Sequence, residues 1–205
     1  KNHIVVSGTA FNNLPATTLT GTLTLYNADF CEIWSLRIDT GLDIQASDNT
    51  EIRRCYITGS LPSQNVVRAD INGQNLRFLD CVIGYYVGSG VLALGGTGEL
   101  YGCIIWGNYN YPYRGISFSW PGTGLWQLTN CVFGPLYQVF LSQGSNPVQI
   151  RNCIIWNCAY VGETWGLQEW SYNASNLSLP GTNNAILTQS PFVNYQAGSP
   201  LTSDF

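Results

Sequence analysis

EIRRCYI, at Glu51–Ile57, is one of six related segments spread along the chain. The others are EIWSLRI (Glu32–Ile38), RFLDCVI (Arg77–Ile83), ELYGCII (Glu99–Ile105), QLTNCVF (Gln127–Phe133) and QIRNCII (Gln149–Ile155). Each reads polar, apolar, variable, corner, Cys slot, variable, then Ile or Phe. The Cys slot holds Leu36, Cys55, Cys81, Cys103, Cys131 and Cys153, at steps of 19, 26, 22, 28 and 22 residues. A period in the twenties is the mark of a solenoid, in which one coil buries its apolar face only by stacking on the next.

The alternation within each segment is that of a strand with one face inward. It breaks at Ser35, Arg54, Asp80, Gly102, Asn130 and Asn152. Asn, Asp and Gly tolerate the left-handed conformation that a sharp corner needs. Each segment therefore reads as two short strands joined by a one-residue bend. Another strand precedes five of them, at Leu42-Asp43-Ile44, Ala69-Asp70-Ile71, Leu92-Ala93-Leu94, Ile116-Ser117-Phe118 and Val139-Phe140-Leu141. Three strands per coil predict an all-β parallel β-helix of about seven coils with loop insertions. One domain spans 1–205: an entry segment (1–27), regular coils (28–155), then an insertion and closing coil (156–205).

Charged residues are only 10% of the chain, well below the usual quarter. A formal charge of −4 and a single lysine, Lys1, argue against a nucleic-acid partner. No apolar run is long enough for a membrane span. The chain opens without a signal peptide and contains no Met, which reads as a processed chain or excised domain. Its expected setting is extracellular, cell-surface or virion-borne. The five ladder cysteines read as buried free thiols, since parallel neighbouring strands rarely offer disulfide geometry. Their spacing lacks the short clusters of zinc sites. Cys31 and Cys158 fall outside the ladder, where exposure is open to them.

GLDIQASDNTEIRRCYITG (Gly41–Gly59), its repeats, and the tail motifs Ser190–Asn194 and Gly198–Pro200 resemble the right-handed parallel β-helix, pectin-lyase-like superfamily, including secreted bacterial repeat proteins and phage tailspike-type domains. The resemblance implies the fold over roughly residues 23–205 and leaves activity open, because that superfamily holds lyases, glycosidases, adhesins and inert scaffolds. A pectate lyase would need clustered acids around Ca²⁺ with an Arg or Lys base, and no such cluster is visible.

Several constellations remain. Asp43 and Asp70 are expected to stack in one outward slot, as solvated acids, a catalytic pair or a Ca²⁺ site. No other cofactor is expected. Glu51, Arg77 and Glu99 stack in a second slot and read as an alternating-charge ladder. Tyr109, Tyr111, Tyr113, Trp120 and Trp126 gather near Arg114. Trp156, Tyr160, Trp165, Trp170 and Tyr172 gather near Glu163 and Glu169. Such rings either pack insertions onto the solenoid or stack on sugars beside acids. Candidate carbohydrate contacts are Tyr109, Tyr111, Tyr113, Arg114, Trp120, Trp165 and Trp170. Candidate catalytic acids are Asp43, Asp70, Glu163 and Glu169. Asn173 and Asn176 head glycosylation sequons, meaningful in a eukaryotic secretory host. Val82, Ile104, Val132 and Ile154 form an outward apolar stripe, which suggests either cover by insertions or a homo-oligomer, trimer or fibre.

Two functions follow. One is a non-catalytic structural, adhesive or glycan- or receptor-binding solenoid. The other is a polysaccharide lyase or glycoside hydrolase using Asp or Glu.

Overall fold

The structure, a computed structural model, describes residues 4–8, 10–11, 14–15, 17–59, 66–69, 73–85, 90–107, 114–118, 124–142, 147–162 and 167–192. Three long parallel sheets carry the fold. The first includes Glu51–Arg53, the second Tyr56–Gly59 and the third Leu42–Gln45. From Leu23 to Ser175 the chain visits third, first and second sheet in strict rotation, completing seven coils. The expected parallel β-helix of about seven coils is the observed fold.

Each repeat segment supplies a first-sheet strand, a corner and a second-sheet strand. All six corner residues are left-handed: Ser35 (φ 53°), Arg54 (52°), Asp80 (53°), Gly102 (64°), Asn130 (56°) and Asn152 (53°). One such residue reverses the in–out parity, so apolar side chains on both sides of the bend face the same interior. Stacking then places like on like. Ile33, Ile52, Phe78 and Leu100 form one column, and Ile57, Ile83, Ile105 and Phe133 another. All eight are completely buried.

The cysteine column lies between them. All seven cysteines are free and buried. Each ladder thiol donates to a carbonyl of the preceding coil. Cys81 Sγ lies 3.4 Å from Ile52 O, Cys103 Sγ 3.2 Å from Phe78 O and Cys131 Sγ 3.5 Å from Leu100 O. Burial pushes the Cys103 thiol up, and that of Cys158 to about 12, so both remain protonated. Cys31 and Cys158 are only 1% and 2% exposed, because both begin strands with inward-facing first residues.

Several expectations are corrected. Residues after 156 are not mainly an insertion, since Cys158–Gly162, Leu167–Ser171 and Ala174–Ser175 make a full coil. Glu169–Ser175 (EWSYNAS) is a seventh copy of the repeat. Gln149 pairs with Glu169, Ile150 with Trp170 and Ile155 with Ser175. Tyr172 is its corner (φ 59°), and Asn173 fills the Cys slot. Asn173 Oδ1 accepts from Cys153 N at 2.9 Å, and its Nδ2 donates to Ile150 O at 3.1 Å. This sequon asparagine is 1% exposed and its amide is committed to the core.

In the third sheet, Leu42-Asp43-Ile44 pairs with Val67-Arg68-Ala69, two residues before the expected partner. Asp43 therefore neighbours Arg68 rather than Asp70. A two-residue slip preserves in–out alternation, so patterning alone does not expose it. Ile116 pairs with Phe140, which is buried and not in an outward slot. The stripe keeps its expected phase: Val82, Ile104, Val132 and Ile154 are successive partners, each half-buried.

Candidate functional site

The outward face of the first sheet carries two rows of side chains. In the inner row, Glu32 neighbours Glu51, Glu51 neighbours Arg77, and Arg77 neighbours Glu99. Gln127, Gln149 and Glu169 continue it. Two residues along each strand, a second row holds Trp34, Arg53, Leu79 and Tyr101. Beside the inner row runs the corner that leads into this sheet, where Phe30 (φ 58°), Asn49 (52°) and Asn75 (57°) are all left-handed.

Between that corner and the inner row lies a groove of about 670 Å³, lined by Phe30, Glu32, Asn49, Glu51, Asn75 and Arg77. A second trough of about 260 Å³ shares Asn75 and Arg77 with it and reaches Thr97, Glu99 and Gln127. Together they follow the solenoid axis from the Glu32 strand to the Gln127 strand. Four strand spacings make that about 19 Å.

The side chains of this groove hold one another in place. Glu51 Oε1 meets Arg53 Nη2 at 2.7 Å and Glu51 Oε2 meets Arg77 Nη1 at 2.8 Å. Arg77 Nε reaches Glu99 Oε2 at 3.2 Å. Asn75 Nδ2 donates to Asn49 Oδ1 at 3.1 Å, and Gln127 Nε2 to Gln149 Oε1 at 3.1 Å. The Arg53 guanidinium also sits 5.7 Å over the Trp34 ring. At the far end, Arg151 Nε donates to Glu169 Oε1 at 3.0 Å, with a second bond from Nη2 to Oε2. This pairing with Arg151, helped by Ser171, holds the Glu169 carboxyl below its ordinary range. Exposed ion pairs like these contribute little to stability, about 0–1 kcal/mol each. Their effect is to fix a rail of oriented donors and acceptors.

The family described as "Right handed beta helix region" matches residues 17–176, most of the chain. The chain belongs to the right-handed β-helix family. No curated protein and no solved structure matches the chain.

Within this right-handed β-helix, the expected site residues that are described, Asp43, Arg114, Glu169 and Trp170, are spread over two sheets and the core. Asp43 lies on the third sheet and accepts from Gln45 Nε2 at 2.6 Å, whereas Glu169 stands on the first. Arg114 is half-buried on the third sheet, paired with Gly90 and Gln138. Trp170 is interior, 4% exposed, with its ring 5.5 Å from Phe140 in an edge-to-face contact. It therefore packs the core, as does the fully buried Trp126. Asp70, Tyr109, Tyr111, Tyr113, Trp120, Glu163 and Trp165 lie outside the described residues.

Among the described residues, aromatics that face outward beside this groove include Phe30, Trp34 and Tyr101, at 45%, 38% and 42% exposure. Sequence reasoning passed over them. Trp34 and Tyr101 sit at the third, variable position of EIWSLRI and ELYGCII, which alternation turns outward. Their shared phase with Glu32 and Glu99 was the available signal.

Proposed function

We propose that this right-handed β-helix is a non-catalytic glycan-binding module of an extracellular surface or virion, with its ligand lying along the first sheet. The observation that carries this reading is the axial groove, whose rail of carboxylate, amide and guanidinium groups is flanked by Phe30, Trp34 and Tyr101. Sugars present hydroxyls at their edges and apolar C–H faces, and this arrangement offers partners for both. A groove of several hundred Å³ has the size of a binding site.

The test is binding to a glycan array by wild type and a Trp34→Ala/Tyr101→Ala variant. Rings worth ~0.5–1.5 kcal/mol each predict a loss of roughly 5- to 150-fold for the pair. Unchanged affinity would remove the groove from the reading. Loss on Trp165→Ala alone would move the site to the loops.

A polysaccharide lyase or glycoside hydrolase is the second reading. Glu32 and Glu51 favour it, standing on adjacent strands ~4.8 Å apart, near the ~5 Å carboxyl separation of retaining glycosidases. Against it, both oxygens of Glu51 already face guanidinium groups. Release of reducing ends or unsaturated products from polysaccharides would establish catalysis.

Self-association along Val82, Ile104, Val132 and Ile154 belongs to the same proposal. Sedimentation of wild type and an Ile104→Asp/Val132→Asp variant tests it, and a monomeric wild type at high concentration refutes it.

A further inference from the structure

We infer that the first-sheet groove selects uncharged polysaccharide and discriminates against polyuronate. This inference rests on the glycan reading above and adds the ligand's chemical class. Arg77 is the guanidinium that lines both parts of the groove. A uronate carboxylate is recognised best by a guanidinium fork that is open to it. Arg77 is already engaged on both edges of its fork, with Nη1 on Glu51 at 2.8 Å and Nε on Glu99 at 3.2 Å. Arg53, in the second row, is likewise engaged with Glu51 at 2.7 Å.

To gain a bidentate contact, a uronate entering here has to displace one of these carboxylates, exchanging one ion pair for another with little net gain. The displaced carboxylate then stays close to the newcomer. Glu32, Glu51 and Glu99 outnumber Arg77 and Arg53 along this rail, and the chain carries −4 overall, so the approach of a polyanion is also opposed at longer range.

Neutral sugar hydroxyls meet no such obstacle. A carboxylate bound to a guanidinium keeps lone pairs for further donors. The Asn49–Asn75 and Gln127–Gln149 amide pairs each use one donor and one acceptor of the several an amide offers. The rail is thus polar, with its guanidinium groups paired and a small surplus of negative charge, a surface that offers hydrogen bonds to neutral hydroxyls and no unpaired cation to a uronate.

The test titrates the full chain with length-matched neutral oligosaccharides (gluco-, manno-, galacto- and xylo-), oligogalacturonate and chitosan oligosaccharide. The expected result is binding of at least one neutral series, with oligogalacturonate weaker by about fivefold or more. Raising NaCl from roughly 50 to 300 mM should leave neutral binding nearly unchanged. Glu99→Gln removes one partner of Arg77, and Glu51→Gln/Glu99→Gln removes both. Either variant, with circular dichroism matching wild type, should gain affinity for oligogalacturonate. Glu99→Gln alone decides the matter if the double variant does not fold.

Tighter wild-type binding to oligogalacturonate than to any neutral series would overturn the inference and leave the glycan reading standing. So would tight, salt-sensitive binding of the chitosan oligosaccharide, or no gain in the folded variants. Failure of every probe to bind would overturn the glycan reading itself.

Discussion

Replacing Cys81 by alanine removes one sulfur from the middle of the thiol column, where the side chain is fully buried. A thiol behaves as a small hydrophobe about the size of a methyl group, so the lost transfer energy is ~0.8 kcal/mol. A residual void of ~20 Å³ adds about 0.5 kcal/mol at the usual cost per volume. The weak S–H bonds to Ile52 O and Leu79 O, both 3.4 Å, add a few tenths of a kcal/mol. The expected cost is about 1.5 kcal/mol. Cys158 lies outside the repeat segments but is just as enclosed, with Sγ 3.5 Å from Trp156 O. Cys158→Ala should therefore cost about the same. Urea denaturation followed by circular dichroism reads both, as a lower midpoint at unchanged slope. A full cost at Cys81 with none at Cys158 would refute the idea that burial, rather than membership of the column, sets the penalty.

Other outcomes follow from the same geometry. Without reductant at neutral pH, a thiol reagent should label none of the seven cysteines in the folded chain and all seven after denaturation, since every one of them is free and buried away from the reagent. Arg54 holds φ 52° at an exposed corner, so Arg54→Gly should stabilise the fold by about 0.5–1 kcal/mol in the same urea assay. Glu169 has its folded pKa lowered by Arg151, so the pair stabilises above the unfolded carboxylate value, and that contribution disappears as pH falls through the lowered folded value. NMR titration of Glu169 should show the depression in wild type and its loss in Arg151→Met.

The solenoid was legible because its signals repeat. One corner residue appearing six times at a parity break carries more information than any single strand, and all six corners are left-handed. The seventh copy escaped because three of its diagnostic positions differ at once: Tyr172 at the corner, Asn173 for Cys, and Ser175 for Ile. Only the Glu169-Trp170 pair kept the pattern, and that pair was read as loop chemistry. The third sheet departs from expectation for a different reason. Its strands follow stretches of variable length; at Val67–Ala69 a slip of two residues leaves the alternation intact, and at Val139-Phe140-Leu141 the slip is of one residue in a run that is apolar and buried throughout and so carries no alternation. The groove was half visible. Glu51, Arg77 and Glu99 align in the repeat as a surface charge ladder, and the ion pairs between them are there. What the one-dimensional reading lacked was the neighbouring corner of Phe30, Asn49 and Asn75, whose side chains turn that ladder into one wall of a trough.

The thiol column also has a direction. Cys55, Cys81, Cys103, Cys131 and Cys153 each donate backward, to a carbonyl in the coil made before their own. None of these donations waits for sequence still to be synthesised. A chain emerging from the ribosome N-terminus first can therefore seat each coil on a finished template, one turn at a time. Asn173 keeps that direction with a different side chain. Its amide donates back to Ile150 O, as a thiol would, and its carbonyl oxygen accepts from Cys153 N, as Cys153 Sγ accepts from Cys131 N. Its Nδ2 also donates to Asn184 Oδ1, so the amide ties the slot both to the coil already made and to the segment that follows, a double reach that the single hydrogen of a thiol lacks.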